Sequence, residues 1–109
     1  MKTSENKIML IGRLGADPVI RRFETGQRMA RLTLATHETK RNLEGSLEKM
    51  TNWHHLIAWG PTADIIKQML RKGRRIAIEG RLNERKWKDK TGADRQQSEV
   101  VVKDFTLLQ

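Results

Sequence analysis

Three tryptophans, Trp53, Trp59 and Trp87, carry the chemistry that can be read in this chain. The first two lie in Thr51–Gly60, T-N-W-H-H-L-I-A-W-G. Side chains of an extended strand alternate between faces, so Trp53, His55, Ile57 and Trp59 share one side and Asn52, His54, Leu56 and Ala58 the other. The two indoles then stand roughly 20 Å apart along the strand. Trp87 lies in Arg81–Lys88, R-L-N-E-R-K-W-K, flanked by Arg85, Lys86 and Lys88. A flat ring offers its π face to an unstacked base, and cations beside it meet the phosphates that accompany the base. Tryptophan is often largely buried. Here Leu56 and Ala58 on the opposite face are the better core candidates, and the basic run around Trp87 opposes deep burial.

The charge balance points the same way. There are 22 Lys+Arg against 13 Asp+Glu among 109 residues, a net charge of +9, with the cations interleaved among apolar residues rather than gathered in a tail. A folded basic surface of this kind seeks a polyanion. Catalysis has no support: there is no nucleophile–base pair, no glycine-rich phosphate loop and no carboxylate cluster. Asp89, Asp94 and Glu99 read as surface charges in or after a solvated hairpin. With no cysteine, disulfides and thiolate metal sites are excluded. His54 and His55 point to opposite faces and cannot grip one ion together, so neither a metal nor a cofactor is expected. No apolar run approaches the ~20 residues of a membrane span. The polar start, Met1–Lys7, precedes an apolar stretch cut short by Gly12 and Arg13, too short for a signal peptide. A cytoplasmic protein is expected.

The elements that must position these residues follow from period. Lys7–Leu14 reads as a strand apolar on both sides, Met9 and Ile11 on one and Ile8, Leu10 and Leu14 on the other. Such a strand is buried between layers or forms a subunit contact. Pro18–Phe23 is a short extended piece and Glu24–Gln27 a turn. Arg28–Thr36 is a strand with Ala30, Leu32 and Leu34 inward. His37–Met50 is a long hairpin excursion, since no apolar stripe runs through it. One helix follows, with Gly60 as N-cap, Pro61 at the first position, Asp64 in the first turn and Gly73 as its stop. Ala63, Ile66, Met69 and Leu70 make its packing stripe. Arg74–Lys88 is a strand with Ile76, Ile78 and Leu82 inward and a bend or bulge at Gly80. Asp89–Asp94 is a hairpin loop, and Arg95–Lys103 the last long strand. The length fits one domain, residues 1–109. The pattern predicts an all-β, five-stranded Greek-key barrel of the oligonucleotide-binding (OB) type, with one short capping helix and long β-hairpins.

Six motifs in order, N-K-I-M-L-I-G-R-L-G-A-D-P (Asn6–Pro18), A-R-L-T-L-A-T (Ala30–Thr36), W-H-H-L-I-A-W-G (Trp53–Gly60), L-R-K-G (Leu70–Gly73), I-E-G-R-L (Ile78–Leu82) and R-K-W (Arg85–Trp87), resemble the bacterial single-stranded DNA-binding protein (SSB) family. The resemblance implies an OB fold, commonly a homotetramer, that coats single-stranded DNA without strong sequence preference in replication, recombination or repair. It places Trp53, Trp59 and Trp87 at aromatic stacking positions and Lys7, Lys72, Arg85 and Lys86 near the DNA path. Arg21 matches a family arginine, His55 shares the tryptophan face, and His54 matches a histidine near a subunit contact, where Met9 and Ile11 would join it. Two departures stand out. Lys40 occupies a position where the family typically has a tryptophan, so a cation replaces one stacking platform. The sequence ends at Gln109 without the family's usual acidic tail, as expected either of a domain fragment or of a short paralogue that binds DNA without recruiting by that route; replication or repair proteins stay among the possible partners. A tail-less primosome-type adaptor, usually dimeric, and an RNA-binding OB module are the competing readings.

Overall fold

Period-two apolar patterning builds six strands: β1 (Ile8–Leu14), β2 (Val19–Arg22), β3 (Arg28–Arg41), β4 (Leu47–Trp59), β5 (Arg75–Lys88) and β6 (Asp94–Leu107). One helix, α1 (Gly60–Met69), lies between β4 and β5. The structure is a computed structural model that describes residues 6–109. Positions 1–5 of the polar start named in the signal-peptide reading fall outside the described residues. No described helix is long and apolar enough to cross a membrane.

The strands form one sheet in the order β1-β5-β6-β4-β3-β2, and β1 also pairs with β3. That second pairing, Arg13 opposite Ala35 and Leu14 opposite Leu34, closes β1, β3, β4, β6 and β5 into a five-stranded barrel. All ladders are antiparallel except β4–β6, which joins Leu56 to Val100 and Ile57 to Val101 in parallel. This is the expected OB architecture, with β2 added at the outer edge of β3. The β1–β3 seam and the β5–β6 ladder both depend on close backbone approach. A β-carbon at Gly12 would strike the backbone carbonyl of Ala35, and one at Gly80 that of Val101. At Gly80 the β5–β6 register slips, Glu79 opposite Asp104 but Gly80 opposite Val102, leaving Lys103 as the bulged residue. The bend expected at Gly80 is therefore a bulge carried by its partner strand.

The barrel interior holds Leu14, Ala30, Leu32, Leu34, Leu56, Ala58, Ile76, Ile78, Val100 and Val102. Ala63, Ile66 and Leu70 of α1 and its C-terminal cap close one end against β3, β4 and β6. Burying Ile66 and Leu70 contributes ~1.5–3 kcal/mol each. The helix differs from expectation in its details. Trp59, extended at φ −123°, is the N-cap, and Gly60 is the first helical residue. Asp64 lies past the first turn and instead receives a bidentate pair of hydrogen bonds from Arg28, at 2.7 and 2.6 Å. Met69 is exposed while Leu70 is fully buried, and the helix ends at Met69, with the chain extended at Leu70, three residues before Gly73.

Strands continue well past the barrel. The β3–β4 ladder runs on to Arg41 opposite Leu47, so the predicted excursion is a regular two-stranded arm with its turn at residues 42–46. The β5–β6 ladder likewise runs to Lys88 opposite Asp94. Leu82, expected inside, is exposed because it sits where β5 leaves the barrel for this arm. The arms explain a radius of gyration of 16.2 Å, against ~13 Å for a compact chain of about this length.

Candidate nucleic-acid interface

Register assigns the faces. On β3–β4, Trp53 pairs with Ala35, His55 with Thr33, Ile57 with Arg31 and Trp59 with Met29. Paired residues share a face, so these eight look outward together. Arg21 and Val19 of β2 extend the rows of Met29 and Arg31. Trp53 is 59% exposed and Trp59 41%. Leu56 and Ala58, on the other face, are buried in the core as expected. Ile57 is buried although it faces outward. It sits where β4 meets β6, flanked in its row by Arg31 and Val101.

Neighbouring groups hold each outer ring. The Trp53 indole lies over Gly15, where a β-carbon would strike its ring, with the Thr33 hydroxyl alongside. Trp59 stacks on Phe23, ring centres 6.0 Å apart at 27°, and the Arg21 guanidinium lies 4.8 Å from the Phe23 ring centre. Arg21, Phe23 and Trp59 thus form one continuous platform of cation and rings. Phe23 was not singled out in the sequence. Its position two residues after Arg21, on the same side of an extended chain, was the signal available.

Trp87 belongs to the second arm. Alternation runs from Arg81, beside Val101 and Ile57, through Asn83 and Arg85 to Trp87, which therefore faces the same side of the sheet as Trp53 and Trp59. It is 38% exposed, and the Arg85 guanidinium lies 4.5 Å from its ring centre. Arg85 Nε is buried without a hydrogen-bond partner. An open groove of about 570 Å³ runs along this arm, lined by Lys86, Trp87, Lys88, Asp94, Arg95 and Gln96.

The arm's turn is tied by Asp89, which is a structural acceptor rather than a free surface charge. It accepts from the Thr91 hydroxyl and amide, the Ala93 amide and Arg95 Nε. The Thr91 hydroxyl first, then Arg95, hold its carboxyl below the ordinary 3.8, at about 2. A depressed carboxylate stabilises the fold above its unfolded value and loses that contribution as pH falls through the folded one. The Asp89 contribution should therefore be complete above pH 3.8 and fade towards about 2. A carboxyl-carbon NMR titration should place the Asp89 midpoint near the lower value and show the Thr91 and Ala93 amides losing protection with it. A midpoint at the ordinary value would remove Asp89 as the tie.

Between the two rows of β4 tryptophans lies a cleft of about 190 Å³. Ala16, Asp17, Val19, Arg31, Leu32, Thr33, His55, Leu56 and Glu99 line it. Glu99 is the one buried polar or charged residue among those described, 7% exposed, which corrects its reading as a surface charge. It is buried because β6 runs beside β4 here, one residue before Val100 pairs with Leu56. Lys72 stands at the margin, its amide donating to Asp17 Oδ1 at 2.7 Å.

The remaining predicted residues lie elsewhere. Lys40 is on the opposite face of the β3–β4 ladder from Trp53, 3.6 Å from Glu38. Lys86, exposed, alternates away from Trp87 on its arm but lines the same groove. Lys7 pairs with Glu79 at 2.7 Å, beside the outer face of β1. On that face Met9 is 70% and Ile11 55% exposed. His54 faces inward, half-buried, with Nε2 2.8 Å from Thr36 Oγ1. No group of three potential metal ligands occurs among the described residues.

The profile of the single-strand binding protein family matches residues 5–108. The chain belongs to that family. It is 47% identical over 104 residues to single-stranded DNA-binding protein 1 of Chlorobaculum tepidum, a match covering 94% of this chain and 64% of that protein. The chain thus spans just under two thirds of that relative's length. Among solved structures, a Plasmodium falciparum SSB in complex with single-stranded DNA superposes with a TM-score of 0.90 at 35% identity, covering 100% of this chain and 99% of that one. A deletion mutant of the single-stranded DNA-binding protein from Thermus aquaticus gives 0.84 at 27% identity, over 95% of this chain and 50% of that one. The motifs from Asn6 to Trp87 thus led to the right family, and the barrel that carries them is that of these single-strand binding relatives.

Proposed function

We propose that residues 1–109 act as one nucleic-acid-binding domain that holds single-stranded DNA without strong sequence preference, in replication, recombination or repair. The observation that carries this reading is the placement of three half-exposed tryptophans on one side of a sheet whose rows also carry Arg21, Arg31 and Arg85. Each stacked base contributes ~1–3 kcal/mol, and every base has a π face, so binding is sequence-tolerant. Phosphates neutralised by the cations release counterions and make affinity fall with salt. The domain acts as a stoichiometric binder and makes or breaks no bond. The exposed Met9 and Ile11, with His54 nearby in the family's pattern, support assembly as a homotetramer.

A tryptophan-fluorescence titration with oligo-dT and a matched duplex, at low and high salt, on protein of measured solution mass, tests this. Quenching by oligo-dT alone, weakening with salt, from a tetramer, is the expected result. Indifference to strandedness with little quenching would reject stacking and favour the adaptor reading.

Arg85 separates the two energetic contributions. Arg85→Ala should reduce the salt slope by about one contact and also loosen Trp87. Arg85→Lys should keep the slope and lose only the planar support of the ring. Identical behaviour of both variants would show that Arg85 acts by charge alone.

A further inference from the structure

The cleft between the tryptophan rows holds a group that phosphate binding does not explain. Glu99 is almost fully buried, yet it lines an open cleft on the outward face of a protein of net charge +9. Its one hydrogen bond among the described residues is a long one, from Asn83 Nδ2 to Oε1 at 3.4 Å, and no described cation lies within ion-pair distance. A carboxylate is acceptor-only, with about four lone-pair sites, so one long contact leaves most of its capacity unmet by the described residues. A phosphate is repelled there. A hydrogen-bond donor is not.

We propose that this cleft is a base-edge subsite in which Glu99 accepts hydrogen bonds from the Watson–Crick edge of one nucleotide, giving a local preference for guanine over thymine within otherwise sequence-tolerant binding. The inference rests on the single-stranded DNA reading above. The cleft's Arg31, Thr33 and His55 occupy the rows between those of Trp53 and Trp59, so a strand stacked on both rings passes over it. Unpaired bases present their Watson–Crick edges to protein groups. Guanine offers N1–H and N2–H side by side, matching the two oxygens of a carboxylate. Cytosine offers N4–H alone on the same side. Thymine offers N3–H between two carbonyl oxygens, which a carboxylate repels. Guanine is therefore first, cytosine intermediate and thymine last. Arg31, at the cleft wall, is placed to take the phosphate of the same nucleotide.

Competition binding with the full chain tests this, using a dT tract, the same tract with one central dG, and the same with one central dC. A single replacement leaves self-stacking of the competitor nearly unchanged. Wild type should prefer the dG-bearing tract over all-dT by about fivefold, the low end of what a bidentate contact gives. Glu99→Gln keeps the shape and the Asn83 contact but presents one donor and one acceptor. It should bring the ratio to about one while all-dT binding is kept or tightened. Equal affinity of wild type for the dG-bearing and all-dT tracts would overturn the subsite and leave the single-strand reading standing, and this arm needs no variant to fold. A preference that survives Glu99→Gln would assign it to another group. Failure of wild type to bind any of the three tracts would remove both readings.

Discussion

A chain carrying both Trp53→Ala and Trp87→Ala should bind oligo-dT more weakly by roughly 2–6 kcal/mol, the sum of ~1–3 kcal/mol per lost base platform. The residues sit on different ladders, Trp53 on the barrel and Trp87 on the second arm, with no shared partner: Trp53 lies over Gly15, and Trp87 under Arg85. Their effects should accordingly add. Both rings are half-exposed and absent from the core, so the urea midpoint should stay close to wild type. Isothermal titration of the single and double variants, beside urea unfolding, checks both halves. Loss of affinity with a lowered midpoint would mean that the rings are structural. Unchanged affinity would defeat stacking.

The second large effect concerns stability. Gly12→Val should destabilise the domain by at least ~3 kcal/mol, a large share of the ~5–15 kcal/mol that holds a domain together. The new β-carbon would meet the Ala35 carbonyl, with Leu34 Cγ 3.2 Å away. A backbone carbonyl cannot rotate aside as a side chain can, so β1 and β3 must part at the seam that closes the barrel. Gly26→Ala is the matched control. Gly26 has φ +89° but nothing within 4 Å, so alanine there meets only the left-handed backbone penalty of about 1–2 kcal/mol. If the two variants unfold at the same denaturant concentration, crowding at the seam is not what requires glycine.

Much of the site was legible because strand alternation needs only local order. The shared face of Trp53 and Trp59, the inward Leu56 and Ala58, and the common side of Met9 and Ile11 all follow from counting by two. The failures share a cause. Glu99 reads as a surface charge until β6 is laid beside β4, and the face Ile57 shares with the tryptophans gives no hint that Arg31 and Val101 flank and bury it. Both depend on a parallel contact between segments distant in the chain, which no local pattern encodes. Leu82 has the alternation of a core residue but lies past the point where β5 leaves the barrel, and alternation carries no information about where a barrel ends. Lys40 was judged by its family position, and register then put it on the opposite face from Trp53. The helix failed at its ends, where Arg28 drew Asp64 into a tertiary pair instead of a first-turn role.

The two long ladders, β3–β4 and β5–β6, join segments adjacent in sequence, whereas the seams β1–β3 and β4–β6 join distant ones. Hairpins form in microseconds, and contacts between distant segments must first meet the entropy of closing long loops. Trp53 and Trp59 belong to the early hairpin and Trp87 to the late one, and neither hairpin alone contains the cleft around Glu99. A chain emerging in order from synthesis thus carries its aromatic rings on two separate pieces, and the continuous surface across them comes into being only when the last seam closes. Competence to engage a strand over all three rings is therefore acquired in a single step at the end of folding rather than by degrees.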